Sequence, residues 1–280
     1  MKVKASKQLN RLIDVAAPYW AGEAEVFSTY WKWDKRTRET DRAWLALQCF
    51  KEVWGASTDG KKKGLFLGPL EQLTEMFPKI DTGVDRHEVL DIAEGLWAEF
   101  AHYCAFADAY DALGLSGEEK INPAALYSWR QDNRMPGRAE DDALTKMRNE
   151  HGERYGTLGR RALRFTEGGY CTLFSEGMKL RDYPSAGHEK ADRAIAEACT
   201  RVYDDEFGHM LKGVVGLDSE GLSDADWKLM MEISVEQLKG RILMRNAQFG
   251  KPVAAARLHE LLAGKCKPLP FDYARAKLAA

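Results

Sequence analysis

The sequence predicts an all-α protein, a four-helix bundle with additional N- and C-terminal helices. Three observations carry that prediction. The chain is rich in Ala, Leu, Glu, Lys and Arg and has few β-branched runs, a composition that favours helix. Proline and glycine punctuate long helical segments. Glu-x-x-His occurs twice inside such segments, as Glu99-Phe100-Ala101-His102 and Glu206-Phe207-Gly208-His209. The 280 residues suffice for one sizeable core. A single domain over 1–280 is expected, with the bundle at about 21–215 and C-terminal helices at 223–264.

The first helix is expected over 7–17, stopped by Pro18, because proline lacks the backbone donor a helix interior needs. The first bundle helix follows over 21–54, ended by Gly55. A Gly/Lys-rich loop over 60–64 leads to a short helix at 70–77, stopped by Pro78. The second bundle helix spans 84–113, with Gly114 as its C-terminal cap. Two prolines and several polar residues make 116–137 a loop with short helical turns. The third bundle helix covers 141–181, with a possible break near Gly152 or between Gly156 and Gly159. Pro184 and Gly187 mark the turn into the fourth, at 188–215. Ser223 to Asp226 resembles a capping box that opens a helix reaching Phe249. A final helix follows Pro252, at 253–262.

Bulk properties exclude several classes. The formal charge of −2 leaves no basic face for nucleic acid. No apolar run of about 18 residues is present, so no membrane span is expected. The N-terminal residues lack an apolar signal core, and the expected location is cytoplasmic. Five cysteines (Cys49, Cys104, Cys171, Cys199, Cys266) form no Cys-x-x-Cys pair. They read as reduced, mostly buried thiols, which also removes a rubredoxin-type iron site. His87, His151, His188 and His259 have no ligand partners nearby in sequence and read as surface residues. Asp141-Asp142 and Lys61-Lys62-Lys63 read as solvated charge.

On a helix, residues three apart share a face, with β-carbons roughly 5–6 Å apart, so Glu-x-x-His can grip one metal ion. Each copy sits in an apolar stripe, the first beside Ile92, Trp97, Tyr103 and Phe106, the second beside Ile195, Cys199, Val202, Tyr203 and Met210. A lone buried carboxylate there would cost several kcal/mol unless a metal or counter-charge offsets it. Antiparallel neighbours should place ligands at equal distances from their turn. The turn near Ser185 mirrors Glu206 onto a position near Arg164, and Glu167 is the closest carboxylate, ahead of Glu176. Gly168 and Gly169 beside it suggest that room is needed there, for a neighbouring helix or for a ligand. In the first bundle helix, Glu23, Asp34, Glu39, Asp41 and Glu52 compete. Glu39 shares a face with Lys32, Lys35 and Arg42, whereas Asp41 shares one with Tyr30, Trp44 and Leu45. Asp41 is therefore the expected ligand, with Glu52 and Glu39 behind it.

Around the second motif, Asp205-Glu206-Phe207-Gly208-His209 resembles the Asp-Glu-x-Arg-His signature of the ferritin-like di-iron carboxylate oxygenase superfamily. That resemblance covers about residues 25–215. It implies metal ligands Asp41, Glu99, His102, Glu167, Glu206 and His209, with Asp205 orienting His102. Gly208 stands where the family usually has Arg, so the outer hydrogen-bond network differs. A haem-oxygenase-like helical di-iron fold is the other arrangement compatible with such ligands, although it usually lacks two matched Glu-x-x-His pairs.

Four carboxylates and two imidazoles suit two Fe ions, or Mn with Fe, which would react with O2 as co-substrate. The leading expectation is an O2-activating non-haem di-iron oxygenase or oxidase acting on a small organic substrate. The alternatives are a ferroxidase or peroxide-scavenging ferritin relative, and a non-enzymatic helical interaction protein. A substrate pocket is expected from Tyr103, Phe106, Tyr170, Cys171, Phe174 and Tyr203, against the simpler reading of core packing. Arg164, one turn before Glu167, suits a structural ion pair better than a substrate contact. Expected partners are a small-molecule substrate, an external electron donor and a second copy in a homodimer, with no nucleic acid and no membrane.

Overall fold

The computed structural model describes residues 3–55, 64–118, 120–276 and 278–279. The protein is all-α, its only described strands being a two-residue parallel ladder in which β1 (Val3–Lys4) pairs with β2 (Leu278–Ala279). The fold class is the expected one, but the helix boundaries differ in ways that decide the site.

Helix α1 (Lys7–Trp31) opens on Ser6, whose hydroxyl accepts from the Leu9 N–H, and runs straight through Pro18. The proline forfeits one backbone hydrogen bond, and the buried face through Leu12, Trp20 and Phe27 outweighs that loss. The expected continuous helix over 21–54 is broken instead at residues 32–37. Thr37 then caps α2 (Arg38–Trp54) in a reciprocal box with Thr40. The break is held by charge. The Arg36 guanidinium is fully buried, with Nε 3.0 Å from Asp41 and Nη2 2.5 Å from Asp192, and Tyr30 donates to Asp41 at 2.8 Å.

Residues 56–63, which include most of the expected Gly/Lys loop and Lys61-Lys62-Lys63, lie outside the described residues. Helix α3 (Gly64–Met76) carries Pro69 internally, buries no residue fully and ends in a 3-10 turn at Phe77–Lys79. It packs on the first half of α4 (Arg86–Ala112), where the Phe66 and Phe100 rings lie 5.2 Å apart. That half of α4 is largely exposed. Trp97, expected in an apolar stripe, is 71 % exposed. The second half packs between α2 and α9 and buries His102, Ala105 and Phe106.

Within the expected loop, Asn122 caps α5 (Pro123–Gln131). The expected third long helix is three separate ones: α6 (Arg138–Tyr155), α7 (Thr157–Thr166) and α8 (Thr172–Met178). At Gly156 the chain folds back, and a β-carbon at Gly159 would fall 2.0 Å from the His151 carbonyl. Between α7 and α8, Gly168, Gly169, Tyr170 and Cys171 all have positive φ, so no helix can continue. The room at Gly169 serves a neighbouring helix: a β-carbon there would fall 1.9 Å from Glu23 Oε2.

Helix α9 (Glu189–Leu211) packs against α4 and α8. Helix α10 (Asp224–Gln248) opens on the Ser223–Asp226 capping box and lies along α1, followed by α11 (Ala255–Leu262). Aromatic rings fill the space among these helices, as where Phe249 stacks on Tyr30 with centroids 4.2 Å apart. Two more buried charge clusters tie distant helices. Glu23 takes Arg241 at 2.7 Å and Arg245 at 3.2 Å. Asp141, expected in solvent, is buried against Lys51 at 2.7 Å and Arg130 at 3.0 Å. His151 is likewise buried, against Gln237. Cys49, Cys171 and Cys199 are buried, and all five cysteines are free. Among the described residues no helix is long and apolar enough to cross a membrane.

Arg36→Met should cost about 3–5 kcal/mol, because it strands Asp41 and Asp192 without a counter-charge. Urea denaturation followed by helical circular dichroism measures it. A loss under 1 kcal/mol would mean that the triad does not hold the α1–α2 break.

Candidate metal centre

Four chain segments converge on one cleft. The last turn of α2 supplies Glu52, and the middle of α4 supplies Glu99 and His102 on one face. The C-terminal third of α9 supplies Asp205, Glu206 and His209, and the end of α7 delivers Glu167. His102 sits at the centre and is 1 % exposed. Its Nε2 lies 3.2 Å from Asp205 Oδ2. Its Nδ1 faces Glu52 Oε2 at 3.5 Å and Glu206 Oε1 at 3.8 Å, and has no hydrogen-bond partner. His209 Nδ1 lies 3.6 Å from Glu206 Oε1. The donor atoms of Glu52, His102 and Glu206 all fall within 4.8 Å of one another, a spacing that could hold a metal ion.

The electrostatics follow from burial and crowding. Burial, with the charges of Glu52 and Glu206 beside it, pushes the Glu99 carboxyl up to about 8. Burial also raises Glu52 against the pull of His102. Burial opposes a charge on His102, yet Glu52, Glu206 and Asp205 together outweigh it and bring the imidazole up to about 9. The Glu206 carboxylate beside it raises His209. Glu206 itself is lowered, because His209, His102 and Arg241 overcome the effect of its burial.

A cleft of about 510 Å³ opens onto these groups. Glu52, Glu99, Glu167, Glu206 and His209 line it. Its outer wall is partly apolar, from Leu65 of α3, Ile92 and Leu96 of α4, and Phe174 of α8. Arg164 holds Glu167 at 2.7 Å, the ion pair expected of it.

The structure thus brings together Glu99, His102, Glu167, Glu206 and His209, with Asp205 against His102. Asp41 is elsewhere. It lies at the opposite end of α2, about 16 Å from Glu52 at 1.5 Å per residue, and its carboxylate is committed to Arg36 and Tyr30. Glu52 occupies the place expected for it. The Thr37 cap was the available signal: it starts α2 afresh and puts Asp41 in the first turn. Of the six expected pocket residues only Phe174 lines the cleft. Phe106 is in the core, Tyr170 stacks on Trp20 at 4.6 Å, and Tyr103 stacks on Phe100. Cys171 is buried, and Tyr203 lies under Arg275 at 4.2 Å. Gln48, Lys51, Arg241 and Arg245 line the inner wall and were not singled out in the sequence.

Comparison with protein-family models, curated proteins and solved structures finds no match for this chain.

The raised groups set the pH response of the metal-free protein. Glu99, ordinarily near 4.5 and here about 8, makes folding progressively less favourable as pH rises between those values. His102 stabilises fully below its ordinary 6.5, and that contribution is lost as pH rises through about 9. Both act in one direction, so the melting temperature of metal-free protein should fall between pH 6 and pH 9, by on the order of 5 °C. Calorimetry in chelator checks this, and a melting temperature that rises over that range would contradict it.

Proposed function

We propose that this centre holds two divalent metal ions and that the protein is an O2-using di-iron oxygenase or oxidase of the ferritin-like kind. Its substrate is a small organic molecule. The His102 imidazole carries the proposal. In its neutral form, with the Nε2 proton donated to Asp205, the imidazole turns an Nδ1 lone pair toward carboxylate oxygens. Acceptors facing an acceptor cannot bond. A proton on Nδ1, which the raised imidazole carries in the metal-free protein, relieves this only weakly, because 3.5 and 3.8 Å exceed a charge-assisted hydrogen bond of about 2.7–2.9 Å. Those separations suit two coordination bonds of about 2.0–2.2 Å meeting at a common ion.

The donor set fits the group. Carboxylate oxygens and imidazole nitrogens favour Fe(II) or Mn(II) over soft Cu(I). Glu52, Glu99, His102, Glu167, Glu206 and His209 would hold the ions, which when bound would supply electrons to O2. Asp205 fixes the tautomer that leaves Nδ1 free and strengthens its donor character. The four glutamates offset the cationic charge. Arg164 anchors Glu167 at the cleft rim, where that carboxylate is 32 % exposed. A solvent-open cleft of about 510 Å³ exceeds what passage of iron alone requires, which favours an organic substrate. With every cysteine free and none paired, electrons would come from a separate donor.

Metal content after anaerobic Fe(II) loading and desalting tests this. Wild type should retain about two irons per chain, and the double variant His102→Ala, His209→Ala should retain none while staying folded. Wild type without bound iron or manganese would refute the proposal.

Two single variants separate the α2 ligand candidates. Glu52→Gln should lose at least one iron, whereas Asp41→Asn should match wild type. The reverse pattern would return the ligand to Asp41.

A further inference from the structure

We infer that the inner wall of the cleft is an anion-binding subsite, and that the molecule handled there is a small organic carboxylate with an apolar body. This deepens the metal reading and rests on it both for calling that anion a substrate and for the full size of the charge surplus, while the unspent donors do not depend on it.

The observation is a surplus of buried positive charge with unspent donors. Arg241 and Arg245 stand one turn apart on α10 and both line the cleft. They share a single carboxylate, Glu23. Arg241 spends Nε and Nη2 on it, at 3.0 and 2.7 Å. Arg245 spends Nε on Glu23 at 3.2 Å and Nη1 on Gln248 at 2.9 Å. That leaves Arg241 Nη1 and Arg245 Nη2 without a hydrogen-bond partner among the described residues. Gln48, one turn before Glu52 on α2, also lines the cleft. It is 3 % exposed, and its amide nitrogen has no partner. Behind this wall Arg148 is bonded only to Thr166, and its Nε is unpartnered. Lys51 completes the wall but shares Asp141 with Arg130.

Two guanidiniums against one carboxylate leave a net positive charge, which is costly to keep from water unless something balances it. Glu206 and Glu167 face Arg241 and supply part of that balance in the metal-free protein. Two divalent ions would claim the same carboxylates, since four glutamates carry the charge that two such ions neutralise. The arginine surplus then stands alone, and an anionic ligand closes it. Guanidinium N–H groups match the paired oxygens of a carboxylate, and the Gln48 amide adds a neutral donor. Ile92, Leu96 and Phe174 also line the cleft and offer apolar contact for the rest of the molecule. Donors and apolar side chains in one cleft favour an amphipathic anion over a bare inorganic one.

Calorimetric titration of the full chain, loaded anaerobically with Fe(II), with benzoate and with the neutral isostere benzamide tests this. Benzoate should bind about tenfold or more tightly than benzamide. Arg245→Gln should weaken benzoate about tenfold at unchanged iron content, and Gln48→Leu, which leaves the Glu23 cluster whole, about fivefold. Equal binding of the two probes would overturn the inference. So would benzoate binding unchanged in both variants, since the ions themselves would then hold the carboxylate. If the chain binds benzoate through Arg245 but takes up no metal, the subsite stands and the metal reading falls. If it takes up metal and no benzoate, the inference fails alone.

Discussion

Negative charge crowded into a partly dehydrated cleft is the constraint around which this structure is arranged. Two carboxylates about 5 Å apart repel by about 3 kcal/mol at an effective dielectric near 20; donor atoms of Glu52 and Glu206 lie within 4.8 Å of one another, and both charges act on Glu99. The protein meets that repulsion by holding Glu99, His102 and His209 toward their protonated forms and by placing Arg241 and Arg245 on the cleft wall. Rigid helices supply the means. Each donor sits on a helix already fixed by packing elsewhere, so repulsion cannot relax by moving one segment aside. On the proposed reading, metal ions replace the protons, and the same crowding that destabilises the metal-free state becomes affinity.

What could be read from the sequence was what is local to one helix. Glu99 with His102, and Glu206 with His209, are separated by three residues, and helical geometry alone puts each pair on one face. Asp205 was named only through the resemblance to the di-iron carboxylate oxygenases. The all-α class followed from composition and from caps such as Ser223 with Asp226, which the structure contains. These inferences need no knowledge of how helices pack.

Glu52 was not legible because its choice depends on register between helices. Choosing a carboxylate by the face it shares assumes one unbroken helix over 21–54 that meets α4 along its full length. The first half of α4 instead packs on α3, which pushes the α2 contact toward His102 and pairs Cys49 with Tyr103. Within 32–37 only the Thr37 cap signals a break: the segment holds neither glycine nor proline, and a long-range pair from Arg36 to Asp192 fixes it. The pocket aromatics failed for a related reason. Tyr170 and Cys171 were placed on a helix that in fact ends at Thr166, and four consecutive positive φ values turn them toward the core.

That same interruption gives the cleft its two-sided character. At this bend a β-carbon on residue 169 would collide with the Glu23 carboxylate, so glycine there is what lets Glu23 hold Arg241 and Arg245. The bend lets Glu23 reach Arg241 from behind while Glu167 and Glu206 face the cleft in front. A cationic layer therefore stands directly beside an anionic one, with the opening between them. Neither layer is stable alone at such burial. Metal binding to one side would remove the balance of the other, so occupancy of the proposed metal centre and affinity for an anion should rise together, as two ligands sharing one field.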